Sequence, residues 1–415
     1  MNDAELARFA PRPGTSDDAI AGVQPKLVFT PASSAEGAEL LAEMAARRMS
    51  VAFAGGGTAL ELGAPPTRLD AVIRTERWNK VLEYAPSDQV VVVEAGVTLA
   101  ALQRELRQHG QRLAIDPPWP ERATLGGIVA SNAFGALRTR YGSIRDLLIG
   151  ATFVRADGVS ARGGGKVVKN VAGFDLPKLL VGSLGTLGLI TTATFRLHPL
   201  CEVEVTLLLE NQSAIEVRAL FAELRAAQLE PAAAMAMTEG AGFAVALRFE
   251  GFRAGVEEQT RRLVELASAQ SPCRPLDEAE AKTVWQRHDR LRTAGTFRAK
   301  IAALPASIDR LSAEGVAPLL AALETSGFVF YPTLGLGFVS GSATDAVRAA
   351  EAIAAARRML ARLGGSLVVE AAPSELRARV DVWGPASAAL VLMQSVKARL
   401  DPEHRLAPGR FVGGL

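Results

Sequence analysis

The chemistry in this sequence is carried less by side chains than by their absence. In "VAFAGGGTALELG", Val51 to Gly63, three consecutive glycines, Gly55, Gly56 and Gly57, follow a short apolar run and lead into Thr58. Further clusters stand at Gly126–Gly127, at Gly163–Gly165 and, at triplet spacing, at Gly182, Gly185 and Gly188. Glycine lacks Cβ, so it permits positive φ and lets successive backbone N–H groups converge on an anion. A strand running into "GGGT" can therefore cradle a phosphate, with the Thr58 hydroxyl as a further donor. A tight turn would use the same residues, and each cluster alone leaves that alternative open.

Two familiar phosphate loops do not fit. A Walker A loop ends in Gly-Lys followed by Ser or Thr, whereas these glycines lead into "TALELG". A dinucleotide fingerprint needs G-x-G-x-x-G, and Leu60 occupies the last glycine's place. Other chemistry is sparse. The four histidines, His109, His198, His288 and His404, are far apart, so no local metal-ligand pair is written. Cys201 and Cys273 form no Cys-x-x-Cys, which leaves neither a zinc clip nor an iron–sulfur set and suits a reducing, cytosolic compartment. With 46 Lys and Arg against 44 Asp and Glu, the net charge of +2 is no footprint for nucleic acid. The N-terminus reads as no secretory signal, and no apolar run approaches the ~18 residues of a membrane helix. Membrane contact is thus expected only through a partner, at the inner face.

Elements must position these glycines. Leu40, Leu41 and Met44 share one side of a helix beginning near Ser34, and a strand at Val51–Ala54 follows it. "QVVVVEAGV", residues 89–97, reads as a buried β-branched strand, with Thr98 capping the helix that carries Leu99, Leu102 and Leu106. Beyond His198–Pro199 the glycine motifs stop. Strand-like stretches such as "GFAVALRFEG" then alternate with alanine-rich helices such as "TDAVRAAEAIAAARRMLARLGG".

Their order along the chain is specific. The first loop is followed by "IDPPWPERATLGGIVASNAFGALRTRYGSIRDLLIG", then by "GGGKVVKNVAGFDLPKLLVGSLGTLGLITTATFRLHP", and finally by "LDPEHRLAPGRF". Together these resemble the FAD-binding domain of the vanillyl-alcohol oxidase, or PCMH-type, flavoproteins. Within that family they look most like the FAD-binding E subunit of bacterial glycolate oxidase. The resemblance implies an α+β fold: a two-subdomain PCMH-type FAD-binding domain followed by an α/β cap domain. The implied boundaries are 1–22 for an irregular leader, 23–199 for the FAD domain, 200–390 for the cap, and 391–415 for a segment returning to the FAD domain. Residue by residue, it implies that Ala54, Gly55, Gly56, Gly57, Thr58 and Ala59 wrap the pyrophosphate of FAD. Pro117 would border the flavin. Gly126, Gly127, Ser131, Asn132 and Gly135 would line the ribityl chain and ring, and the backbone of Ile190 would meet the adenine. Valine at Gly56 is then expected to expel the cofactor by filling the phosphate's space.

Departures from the family pattern narrow the expectation. The first loop lacks the histidine that links FAD covalently in some relatives, so FAD is expected to be non-covalent. The closely spaced cap histidines of relatives that oxidise D-2-hydroxy acids are missing, so no metal is expected. Asparagine often precedes the proline of the C-terminal "PGRF", and here Ala407 stands there. No catalytic base is identifiable. Arg292 and Arg298 are possible carboxylate clamps, and Lys166 and Lys169 invite a role near phosphate or carboxylate. Tyr141 is read as a packing residue, and the histidines as structural or surface residues. The function these features imply is an FAD-binding subunit of a glycolate oxidase-like 2-hydroxy-acid dehydrogenase complex. Its partners would be a sister flavoprotein subunit and an iron–sulfur subunit. A self-sufficient FAD-dependent 2-hydroxy-acid dehydrogenase and a non-catalytic structural subunit are the alternatives.

Overall fold

The computed structural model describes residues 4–167, 174–268 and 272–415. The chain divides into two compact α+β units. The first comprises Met1–Phe134, Gly142–Leu200 and Pro385–Leu415, and the second Gly135–Tyr141 and Cys201–Gly384.

The first unit holds two sheets. The smaller has the order β1 (Arg12–Pro13), β2 (Leu27–Phe29), β4 (Ala71–Arg74), β3 (Val51–Ala54), with β2 and β3 both parallel to β4. Helix α1 (Ser34–Ala46) makes the crossover. Ser33 caps it, accepting from Glu36 N–H, and Leu40, Leu41 and Met44 are wholly buried against Val51, Ile73 and Trp78. Each such side chain contributes about 1.5–3 kcal/mol by leaving water. Residues 4–22 carry few regular elements, yet they are tied down. Asp18 is buried and accepts from Arg12, Thr15 and Arg74. The Arg12 hydrogen bonds hold its carboxyl well below the usual carboxylate range.

The second sheet is antiparallel, in the order β5 (Val81–Ala85), β6 (Val90–Glu94), β9 (Leu189–Arg196), β7 (Leu148–Val154), β8 (Ser160–Gly164). Strand β6 is shorter than the apolar run suggests: Gln89 is left-handed at φ 53°, and the chain leaves the ladder after Glu94. Thr98 caps α2 (Leu99–Arg107) by accepting from Ala101 N–H, and α2 buries Leu99, Leu102 and Leu106. The short α3 (Leu125–Ser131) follows, capped by Thr124. Gly163 and Gly164 lie within β8, so that cluster serves the strand and its end.

The second unit is built on an eight-stranded antiparallel sheet. Its order is β13 (Cys273–Pro275), β10 (Val203–Gln212), β12 (Gly242–Gly251), β11 (Ala233–Glu239), β15 (Glu324–Tyr331), β16 (Leu336–Ser342), β14 (Phe297–Ala302), β17 (Ser366–Ala371). Its central strands are near-continuously apolar because both faces are covered. Two of the helices packed on it are α4 (Glu278–Thr293) and α5 (Ala346–Arg362). The chain then returns to the first unit through α6 (Leu390–Leu400). No helix among the described residues is long and apolar enough to cross a membrane.

Candidate functional site

Strand β3 ends at Ala54, and the glycine loop leaves from its carboxyl end, where parallel sheets commonly place ligands. The loop forms one wall of a cavity that is open to solvent. A second wall comes from Thr124 and α3 through Gly126, Gly127 and Ser131. A third is the segment from Leu184 to Ile190 that feeds β9, and Arg410 of the C-terminal segment also borders the space.

The walls are mostly main chain. None of the N–H groups of residues 55–59 donates to an acceptor within the described chain. A run of backbone donors left without partners calls for solvent or a ligand rich in acceptors. Among the described residues no carboxylate lines the cavity, and no histidine or cysteine does. An anionic ligand therefore meets donors and no like charge there.

The glycines have reasons of their own. A Cβ on Gly56 would stand 1.6 Å from the carbonyl oxygen of Arg122, so valine there collides with the protein's own backbone before it reaches the cavity. The expectation that a phosphate keeps position 56 bare is corrected to this extent: the segment before α3 already forbids a side chain. Gly57 adopts φ +74°, which L-residues resist. Thr124, almost fully buried, accepts from Gly127 N–H at 3.3 Å and fixes the start of α3.

Of the residues singled out in the sequence, Ala54, Gly55, Gly56, Gly57, Thr58, Ala59, Gly126, Gly127, Ser131 and Ile190 line this one cavity. Ser131 uses its hydroxyl on Gly127 O at 2.7 Å. Asn132 does not line the cavity. It ends α3 at φ 52°, and its side-chain oxygen is buried without a hydrogen-bond partner. Pro117 is buried in the chain before α3, away from the lining, and Gly135 belongs to the second unit. Gly185 and Gly188, singled out in the sequence as a glycine cluster but given no cofactor role, also line the cavity, while Thr124 and Arg410 were passed over. The Thr placed before "LGG" was the available signal for Thr124.

Arg410 is 3% exposed. It donates from Nε to Leu62 O at 3.2 Å, and from Nη2 to Ala59 O at 3.0 Å and to Leu60 O and Leu62 O, both at 3.1 Å. Lys166 forms a half-exposed pair with Glu83, and Lys169 lies outside the described residues.

The second unit gathers polar side chains instead. His288 is 2% exposed, with Nε2 2.7 Å from the Tyr331 hydroxyl and Nδ1 2.9 Å from Asp289. Burial, above all, pushes its pKa down. Arg292, also buried, lies with its guanidinium 3.9 Å from the Phe338 ring, which is a packed position and no solvated arm. Arg298 sits in β14, opposite Ser340. Tyr141 donates to Glu250 Oε2 at 3.1 Å, and Arg140 to Glu250 O at 2.8 Å. The remaining histidines are in the first unit. His109 packs edge-on against Tyr84 at 5.1 Å, His198 pairs with Arg112 in a short ladder, and His404 is left-handed at φ 50°.

Residues 25–163 match a family model described as an FAD binding domain. D-lactate dehydrogenase of Archaeoglobus fulgidus is 40% identical over 174 residues, 42% of this chain and 39% of that protein. Glycolate oxidase subunit GlcE of Escherichia coli is 34% identical over 178 residues, 43% of this chain and 49% of that one. Subunit GlcD of Bacillus subtilis is 33% identical over 208 residues, 50% and 44% of the two chains. The chain thus spans half or less of the length of these relatives. Among solved structures, an alkyldihydroxyacetonephosphate synthase covers 99% of this chain and 83% of its own at a TM-score of 0.72 and 18% identity. A p-cresol methylhydroxylase with substrate bound covers 93% and 88% at a TM-score of 0.71 and 15% identity. At such identities the likeness is one of fold.

Proposed function

From the premise that residues 25–163 are an FAD-binding domain of the PCMH-type flavoproteins, we propose that this chain is the FAD-binding subunit of a glycolate oxidase-like 2-hydroxy-acid dehydrogenase. The observation that carries the cofactor site is the row of unpartnered N–H groups at residues 55–59, set in a cavity without carboxylates. These amides, with Ala54, Thr58 and Ala59 around them, hold the diphosphate of FAD. Gly126, Gly127 and Ser131 lie along the ribityl chain, and the backbone of Ile190 meets the adenine. Asn132, which does not line the cavity, is given no contact to the cofactor. Pro117 and Gly135 have no part in this cavity. Without a lining histidine or cysteine the cofactor is held non-covalently. When bound, FAD supplies the two-electron acceptor for oxidising an alcohol carbon to a carbonyl. The protein's own work is grip, orientation and exclusion of water.

The subunit reading is supported by the likeness to GlcE and by the single histidine of the second unit. His288 is spent on Tyr331. A sister flavoprotein would then hold the substrate chemistry, and an iron–sulfur subunit would take electrons onward. The likeness to D-lactate dehydrogenase favours the second reading, a self-sufficient enzyme. Anaerobic addition of glycolate or D-lactate to the purified chain separates them. A yellow protein that keeps its colour alone and bleaches only with its copurifying partners supports the subunit reading. Rapid bleaching of the isolated chain supports the self-sufficient enzyme. A colourless protein that takes up no FAD ends both.

A further inference from the structure

The last residues of the chain carry a buried set of charges that the cofactor site does not explain by itself. Lys397 and Asp401 are 1% and 0% exposed and pair at 2.7 Å. A buried ion pair is costly unless every proton and lone pair is used, and here they are used. Lys397 Nζ also donates to Thr186 O at 2.8 Å and to Leu406 O at 2.9 Å, which employs its three donors. Asp401 accepts further from Arg405 N and Leu406 N. The chain then runs beside β3: Val51 N donates to Arg405 O at 2.9 Å and Ala407 N to Val51 O at 2.8 Å. Arg405 caps Met49 O and Ala156 O, and Arg410 gathers the carbonyls of residues 59, 60 and 62.

Two of these contacts fall on segments that line the same cavity. Thr186 lies between Leu184, Gly185 and Gly188, which line it in one segment, and residues 59 and 60 line it in another. In a trans peptide the C=O and the following N–H point opposite ways. Holding the carbonyls at 59 and 60 therefore orients the N–H groups of residues 60 and 61 and pins the chain directly after the donor row. We propose that Arg410 and Lys397 are positioning residues for the cofactor. One cation on each lining segment, both carried by the same C-terminal segment, holds those segments in place, so that FAD affinity depends on a segment far along the chain. This inference rests on the FAD reading of the cavity.

The test uses the full chain stripped of flavin, with FAD titrated by fluorescence quenching and the melting temperature of each apo protein recorded. The variants are Arg410→Met, Arg410→Lys, and the paired Lys397→Met with Asp401→Asn, which leaves no lone buried charge. Leu106→Ala, a core truncation away from the cavity, serves as the matched destabilised control. Preorganised walls are expected to be worth about tenfold or more in FAD affinity for Arg410→Met, with partial recovery in Arg410→Lys and a smaller loss in the paired variant. Leu106→Ala is expected to melt earlier yet to bind FAD as the parent does. Faster amide exchange at residues 55–62 in apo Arg410→Met would be the structural signature. If Arg410→Met binds FAD as tightly as the parent, or if Leu106→Ala weakens binding equally, the inference is overturned while the FAD reading stands. If the unaltered apo chain takes up no FAD, the reading itself fails and carries the inference with it.

Discussion

In the first unit the cavity is walled by residues with little or no side chain, whereas the second unit turns its polar side chains on one another. Residues 55–59 offer backbone donors that nothing in the described chain uses. His288, Tyr331, Glu250, Tyr141 and Arg140 are joined by bonds within their own unit. The first arrangement is unfinished without a ligand. The second comprises two separate sets, buried His288 with Tyr331 and Glu250 with Tyr141 and Arg140, whose members bond one another and need no ligand. Gripping a cofactor and holding a domain together thus leave different marks, and the two regions should respond differently to substitution.

The largest expected effect is at Gly56. Valine there meets the Arg122 carbonyl, so the loop must shift or strain by about 3 kcal/mol, which translates to about a hundredfold weaker FAD binding. Flavin content per purified chain reads this directly, and full occupancy would show that the loop yields without harm. Next comes Tyr331→Phe, which strips His288 Nε2 of its bond in a buried place and should cost about 1–3 kcal/mol of stability in denaturant unfolding. Flavin content should not change; a loss of flavin would dissolve the contrast between the two regions. Thr124→Val removes the cap of α3 at about 1 kcal/mol and touches the cavity, so it should lower both melting temperature and flavin affinity modestly.

The smallest effect is a dependence on pH. Burial lowers the pKa of His288, so the folded protein prefers it neutral. The stability it contributes is complete above the ordinary histidine value of about 6.5 and is lost as pH falls below that toward the lowered value. Melting temperatures recorded from pH 8 to 5 should therefore fall less steeply on the acid side in His288→Gln than in the parent. Equal slopes would mean that His288 is not held neutral.

Much of the first region was legible because glycine announces its use. The strand Val51–Ala54 ending in three glycines, and "TLGG" opening a helix, are local patterns whose geometry follows from the residues themselves. The family resemblance then supplied an expectation of what the glycines approach. Arg410 was not legible, because capping carbonyls from the far end of the chain leaves no spacing to read. Gly56 was read correctly as forbidding a side chain, but for a reason only the fold reveals: the passage of residue 122 behind it. In the second region, the sequence left His288 as a structural or surface residue and Arg292 as a possible carboxylate clamp. Helical period nevertheless sets Trp285, His288 and Arg292 on one face of α4, where Trp285 and His288 meet ring-edge to ring at 5.7 Å. That periodicity was present in the sequence and was outweighed by the charges between.

The central claim is that the main-chain donors of residues 55–59 hold the cofactor's diphosphate. Amide hydrogen exchange of the full chain, measured without and with one equivalent of FAD, addresses those donors individually. The account expects exchange at residues 55–59 to slow markedly once FAD is bound, while the core strands of the second unit stay as they were. Stoichiometric FAD binding with unchanged, fast exchange at residues 55–59 would contradict it.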